Sequence, residues 1–147
     1  MSIHSKIITV ITLTALLASC GKFHGRHSNS YETSRGTIIR NNLGGQTWRV
    51  IGQIKKMKRP LMIHGQCSSS CTSAFRFEDT CVFPNAKVVF HAVTNRGKIN
   101  EFQTRQLASY YPYNMRQWYL NNVFDNKNYV FTGTGMNRQF GTPICKY

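Results

Sequence analysis

The chain has 147 residues, 41% hydrophobic and 12% aromatic, and a formal charge of +14 from 19 Lys and Arg against 5 Asp and Glu. That length suits one domain rather than two with separate cores, and the apolar fraction is too high for a wholly disordered chain. The carboxylates are Glu32, Glu78, Asp79, Glu101 and Asp125, which argues against a carboxylate-rich calcium or magnesium site and leaves few partners for paired-acid chemistry.

Lys6 precedes an apolar stretch from Ile7 to Leu17. The stretch is short against the roughly 20 residues of a membrane span and has the form of a secretory signal. It ends in Leu17-Ala18-Ser19-Cys20, which resembles the bacterial lipobox, whose cysteine is lipidated and becomes the mature N-terminus. The resemblance implies a lipoprotein signal peptide over 1–19, membrane attachment through Cys20, and a polar tether over 20–36 in which His24 and His27 have no specific role. Gly21 follows Cys20, which by resemblance to enterobacterial lipoproteins favours the outer over the inner membrane of a bacterial envelope. That compartment is oxidising, so Cys67, Cys71, Cys81 and Cys145 can pair, in any of three connectivities. Zinc is the weaker reading, because no second Cys/His pair of suitable spacing follows Cys67 and Cys71. No metal and no cofactor is expected.

The domain is expected over 37–147. Thr37 to Arg40 is a β-rich run, and Gly44-Gly45 marks a turn. Trp48, Val50, Ile51, Ile54 and Met57 space apolar groups as one helix face. Lys55, Lys56, Lys58 and Arg59 load the end of that helix, where cations suit the macrodipole, and Pro60 stops it. Leu61 to Ile63 reads as a buried strand, Gly65 to Cys71 as a small-residue turn, and Thr72 to Phe77 as helical. Cys81 to Phe83 and Lys87 to Phe90 read as strands, with His91 at the end of the second. Asn95 to Asn100 reads as loop. Helical pieces are expected over 101–110 and 114–123, broken at Pro112, with Met115, Trp118, Tyr119 and Val123 as a core stripe. Tyr129 to Phe131 is a further candidate strand. This alternation predicts an α/β layered fold.

A glycine pair after one strand, a serine cluster after a second and a histidine after a third form a chemically meaningful order. A serine on a strand-to-helix turn stands clear of the sheet, nearby amides can face an oxyanion, and a histidine can take the serine proton. Ser69 would otherwise be a helix cap, His91 a structural histidine, and His64 a rival base beside the same turn.

Gly65-Gln66-Cys67-Ser68-Ser69-Ser70 resembles the nucleophile segment of Clp-type serine peptidases, and Phe83 to His91 is similar to the segment leading into their base. The cysteine-flanked cluster Cys67-Ser68-Ser69-Ser70-Cys71 further resembles a group of exported Clp-like proteins. The likeness covers about residues 37 to 95 well and 96 to 147 loosely. It implies a ClpP/crotonase-like fold of stacked ββα units, here shortened. It also implies Ser69 as nucleophile, His91 as general base, and the amides of Gly45 and Ser70 as oxyanion hole. The family's third residue is a downstream acid; Asp125 is the carboxylate on offer there, with Asn126 and Asn128 nearer the expected place and Phe140-Gly141 as the turn that follows. The first ββα unit is cut down, and the sheet edge this leaves open could be covered by another copy of the chain.

Two functions follow. One is an envelope lipoprotein with a serine hydrolase domain acting on a peptide or protein. The other is an inactive cationic lipoprotein of the same fold, binding an anionic envelope polymer, lipid headgroups or a protein partner. Nucleic acid would suit the same charge, but no recognition motif for it is present and the address disfavours it.

Overall fold

The computed structural model describes residues 29–146. The signal peptide over 1–19, Cys20, His24 and His27 lie outside the described residues. In chain order the elements are strands β1 (Asn29–Thr33) and β2 (Gly36–Asn42), helix α1 (Thr47–Lys56), β3 (Leu61–Ser68), a 3-10 helix (Ser69–Arg76), β4 (Cys81–Val82), β5 (Lys87–Phe90), β6 (Thr94–Asn95) and β7 (Lys98–Ile99). Then come α2 (Glu101–Ala108), α3 (Tyr113–Asn122), a 3-10 turn (Val123–Asp125), β8 (Tyr129–Thr132) and α4 (Gly133–Phe140). The fold is mixed α/β. Its six-stranded sheet runs β1-β2-β3-β5-β8, with β4 also beside β3. Strands β2, β3, β4 and β5 are parallel, and the edges β1 and β8 are antiparallel to their neighbours. Among the described residues no helix is long and apolar enough to cross a membrane.

Alternation along the strands sorts the side chains onto two faces. Ile39, Leu61, Ile63, Val88 and Phe90 enter the main core under Val50, Ile51 and Ile54 of α1. Burying each of these apolar side chains contributes about 1.5–3 kcal/mol. On the other face Ile38 and Met62 join Phe83, Cys81 and Cys145 in a smaller cluster. Phe90 is the hub of the main core: its ring meets Phe75, Tyr111, Trp118, Tyr119, Phe131 and Phe140, with centroids 5.6–6.4 Å away. The expected stripe on α3 is core, with Met115, Tyr119 and Val123 buried and Trp118 packed against them.

Several expectations need correction. Residues 29–36 are not tether: β1 pairs with β2, with Tyr31 opposite Ile38. An edge strand with mostly exposed side chains shows no hydrophobic alternation, so its sequence reads as linker. Gly65 to Ser68 is strand rather than turn. A Cβ on Gly65 would sit 1.5 Å from the Arg40 carbonyl oxygen, so the small residue there marks close strand contact. The expected loop from Asn95 to Asn100 is mostly the β6–β7 hairpin, which begins at Thr94 and turns at Arg96 and Gly97, both at positive φ. Helix α4 was not expected; Gly133 and Gly135 weaken its sequence signal, and Thr132 caps it by accepting from the Gly135 amide.

The cysteines pair as Cys67–Cys71 and Cys81–Cys145. The first closes the turn around Ser69. The second ties the chain end to β4, where the Cys145 amide also donates to the Val82 carbonyl at 2.9 Å.

Candidate active site

Strands β2, β3 and β5 are neighbours and parallel, so their C-terminal ends lie along one edge of the sheet. Gly44-Gly45 follows β2, Ser69 follows β3, and His91 follows β5. Gly45, Ser69 and His91 line a single cleft of about 470 Å³, with Leu43, Gln46, Thr47, Trp48, Val93, Thr94, Asn95 and Gln103. Crevices at the carboxyl ends of parallel strands are where open α/β sheets bind their ligands.

Ser69 is the residue at which β3 becomes helix, and its φ is 53°. A non-glycine residue there is uncommon and costs on the order of 1–3 kcal/mol, which the surroundings must hold in place. Three contacts do so. The Cys67–Cys71 disulfide spans the turn. Thr72 Oγ1 donates to the Ser69 carbonyl and shares a hydrogen bond with Tyr111 Oη. Gly44 packs so closely that a Cβ on it would lie 2.7 Å from the Ser69 Cβ and 2.9 Å from the Ser68 carbonyl oxygen. Ser69 and Ser70 open the 3-10 helix, and the first amides of a helix have no partner within it. The Gly44 amide is held by Asn42 Oδ1 at 3.0 Å, which shapes the turn that presents Gly45 to the cleft. The first turn of α1 also reaches the cleft through Thr47 and Trp48, bringing the positive end of its dipole there.

His91 is half-buried. Its Nδ1 lies 2.7 Å from the Ala92 carbonyl oxygen. Only a protonated Nδ1 can donate to a carbonyl, so Nε2 of the neutral ring is the free base. From below, Tyr119 Oη donates to the His91 carbonyl at 2.8 Å. Burial raises the Tyr119 hydroxyl well above its ordinary pKa, and burial with the nearby Tyr119 does the same to Tyr111. Both therefore remain neutral donors. The Tyr111 and Tyr119 rings pack edge to face at 4.9 Å, joining the supports of Ser69 and His91 in one buried aromatic unit.

The structure does not bring Asp125 to His91. Its carboxylate accepts from Tyr129 Oη at 2.7 Å and from the Lys127 amide at 3.1 Å, and it pairs with Lys127 Nζ at 3.1 Å. These contacts, first the Tyr129 hydroxyl, hold its pKa below the usual carboxylate value. Asn126 takes a left-handed conformation at the C-terminal end of the 3-10 turn. Gly141, also left-handed, caps α4. His64 is exposed on β3 with its ring against Phe83 and takes no part in the cleft lining.

The basic run after α1 divides among different neighbours. Lys55 reaches Tyr110 Oη, Lys58 the Thr33 carbonyl, and Arg59 pairs with Asp79 at 3.2 Å. What the sequence reading missed is the support beneath the site and the cleft rim. Tyr111 and Tyr119 read as ordinary core aromatics. Trp48 reads as part of a buried helix face but is 43% exposed at the cleft.

No known family model matches the chain, and no curated protein matches it.

Proposed function

We propose that this cleft is the acyl-transfer site of a serine hydrolase with a shortened Clp-like arrangement of ββα units, on a lipid-anchored protein of the bacterial envelope. The observation that carries the reading is the convergence of Gly45, Ser69 and His91 from three adjacent parallel strands on one cleft, with Ser69 held at positive φ. In this reading Ser69 Oγ attacks the carbonyl carbon of a peptide amide while His91 Nε2 takes its proton. The tetrahedral oxyanion faces the amides of Gly45 and Ser70. The C–N bond breaks as His91 returns the proton to the leaving amine. Water then attacks the Ser69 ester, His91 again relaying the proton, and the acid product leaves.

The Ala92 carbonyl orients His91 as the missing acid would, but carries no full charge to stabilise an imidazolium. In serine proteases, replacing the triad acid by its amide lowers kcat by about 10⁴, so slow turnover belongs to the proposal. Cys20 supplies the membrane anchor, with the outer membrane favoured. Edge strands β1 and β8 are where a further copy of the chain would add.

The same carbonyl favours a second reading, a non-catalytic cationic lipoprotein that binds an anionic envelope polymer or a protein partner. A serine-directed fluorophosphonate probe separates the two. Labelling of the full-length, disulfide-bonded chain that is lost in both Ser69→Ala and His91→Ala supports the hydrolase. A folded chain that never labels supports the binder.

A further inference from the structure

Leu43 and Trp48, 42% and 43% exposed, supply apolar surface to the lining of the cleft. Asn95 lines both this cleft and an adjoining hollow of about 520 Å³ whose wall includes Arg96, Lys98, Ile99, Asn100 and Glu101. Arg96 lies in the turn of the β6–β7 hairpin, and Lys98 opens β7 directly after it. Glu101 is the one carboxylate lining either space, and Arg105 holds it through Nε at 3.0 Å and Nη2 at 2.7 Å. The hollow therefore presents two cations without a carboxylate partner among the described residues. The cleft lining also includes Gln46, Thr47, Thr94, Asn95 and Gln103, which offer neutral hydrogen-bonding groups, the complement of a peptide backbone.

We propose that the cleft takes an acidic peptide, with an apolar side chain against Leu43 and Trp48 and a carboxylate beyond it at Arg96 and Lys98. The proposal deepens the reading of this cleft as a substrate site and gives it a charge preference. Each carboxylate contact is solvent-exposed, so two together give a preference of about 5- to 10-fold rather than absolute selection. At 1 M salt, where the Debye length is about 3 Å, the preference collapses.

The test uses the full-length chain carrying Ser69→Ala, so that peptide is bound and not cleaved. Trp48 fluorescence is titrated with N-acetylated, C-amidated peptides that contain one phenylalanine and one glutamate separated by no, one or two glycines. Each is compared with its glutamine counterpart. The expected result is a Kd about 5- to 10-fold lower for at least one glutamate peptide. Arg96→Gln with Lys98→Gln should bring that peptide to the glutamine level, and Trp48→Phe should remove the signal while leaving Trp118. Equal affinity for the two peptide series, a preference that survives the double substitution, or no binding by any peptide overturns the proposal. Failure of the hydrolase reading shows separately, as absent phosphonate labelling of the Ser69-bearing chain. A glutamate preference found together with absent labelling keeps the cationic subsite and assigns the cleft to binding.

Discussion

A Cβ placed on Gly44 would lie 2.7 Å from the Ser69 Cβ, so the turn after β2 and the turn after β3 occupy nearly the same space. Gly44→Ala must therefore move one of them, in addition to straining a backbone whose φ is 76°. Gly97 has almost the same φ, 77°, with no atom within 4 Å of its missing Cβ. Gly97→Ala should cost only the left-handed strain, about 1–2 kcal/mol. Gly44→Ala should cost more in urea unfolding and should abolish phosphonate labelling of Ser69. Equal losses in the two variants would mean that the Ser69 turn yields without consequence.

Tyr119 holds the backbone of His91 from inside the core. Tyr119→Phe leaves the His91 carbonyl without its donor and should cost about 1–3 kcal/mol. It should also slow labelling at Ser69, because the histidine ring loses its fixed base. Unchanged labelling in a measurably destabilised protein would assign Tyr119 to stability alone.

The same tyrosines should make the fold sensitive to alkali. Burial raises the hydroxyls of Tyr111 and Tyr119 above their unfolded values. Above about pH 10 the unfolded chain releases these protons while the folded chain keeps them. Stability contributed by each is complete below that pH and falls as pH rises, by up to about 1.4 kcal/mol per pH unit. Urea midpoints taken at pH 9 and pH 11 should converge in the Tyr119→Phe variant relative to the parent. An identical fall in both would place the alkaline sensitivity elsewhere.

Asp125 contacts Lys127 and Tyr129 rather than His91. Asp125→Asn should leave the labelling rate of Ser69 unchanged. A loss approaching the roughly 10⁴-fold effect of an amide in a catalytic triad would return this carboxylate to the mechanism.

The two disulfides should separate stability from site geometry. Cys81 and Cys145 are 64 residues apart, and Cys67 and Cys71 are 4 apart. Loop-closure entropy assigns about 4 kcal/mol to the long loop and about 2 kcal/mol to the short one. Replacing Cys81 and Cys145 by Ala should therefore lower the unfolding midpoint more. Replacing Cys67 and Cys71 by Ala should cost less stability yet remove more labelling, since that bridge holds the turn at Ser69. The reverse order in the labelling rates would refute the positioning role.

Local rules made much of the chain readable. Apolar runs at Leu61 to Ile63 and Lys87 to Phe90 and the periodic face of α1 are short-range patterns, and each lies in the element expected of it. The order of turn residues after successive strands was equally legible, because Gly44-Gly45, Ser69 and His91 each sit where a strand ends. Helix α4 was not, since its two buried side chains, Met136 and Phe140, follow a glycine-rich first turn. Strand β1 was not, since an exposed edge needs no apolar alternation.

What the sequence by itself determined was the alternating α/β plan and the cationic excess, because composition and spacing act over a few residues at a time; Ser69 and His91 were singled out by a resemblance in their flanking segments. Only the tertiary structure decided that Gly45, Ser69 and His91 share a cleft, which cysteines join, and that Asp125 lies with Lys127 and Tyr129. These are relations between segments far apart in sequence, set by the parallel order β2-β3-β5 and by the packing of aromatic rings beneath it. No local pattern encodes that order. It follows from burying all the apolar faces at once.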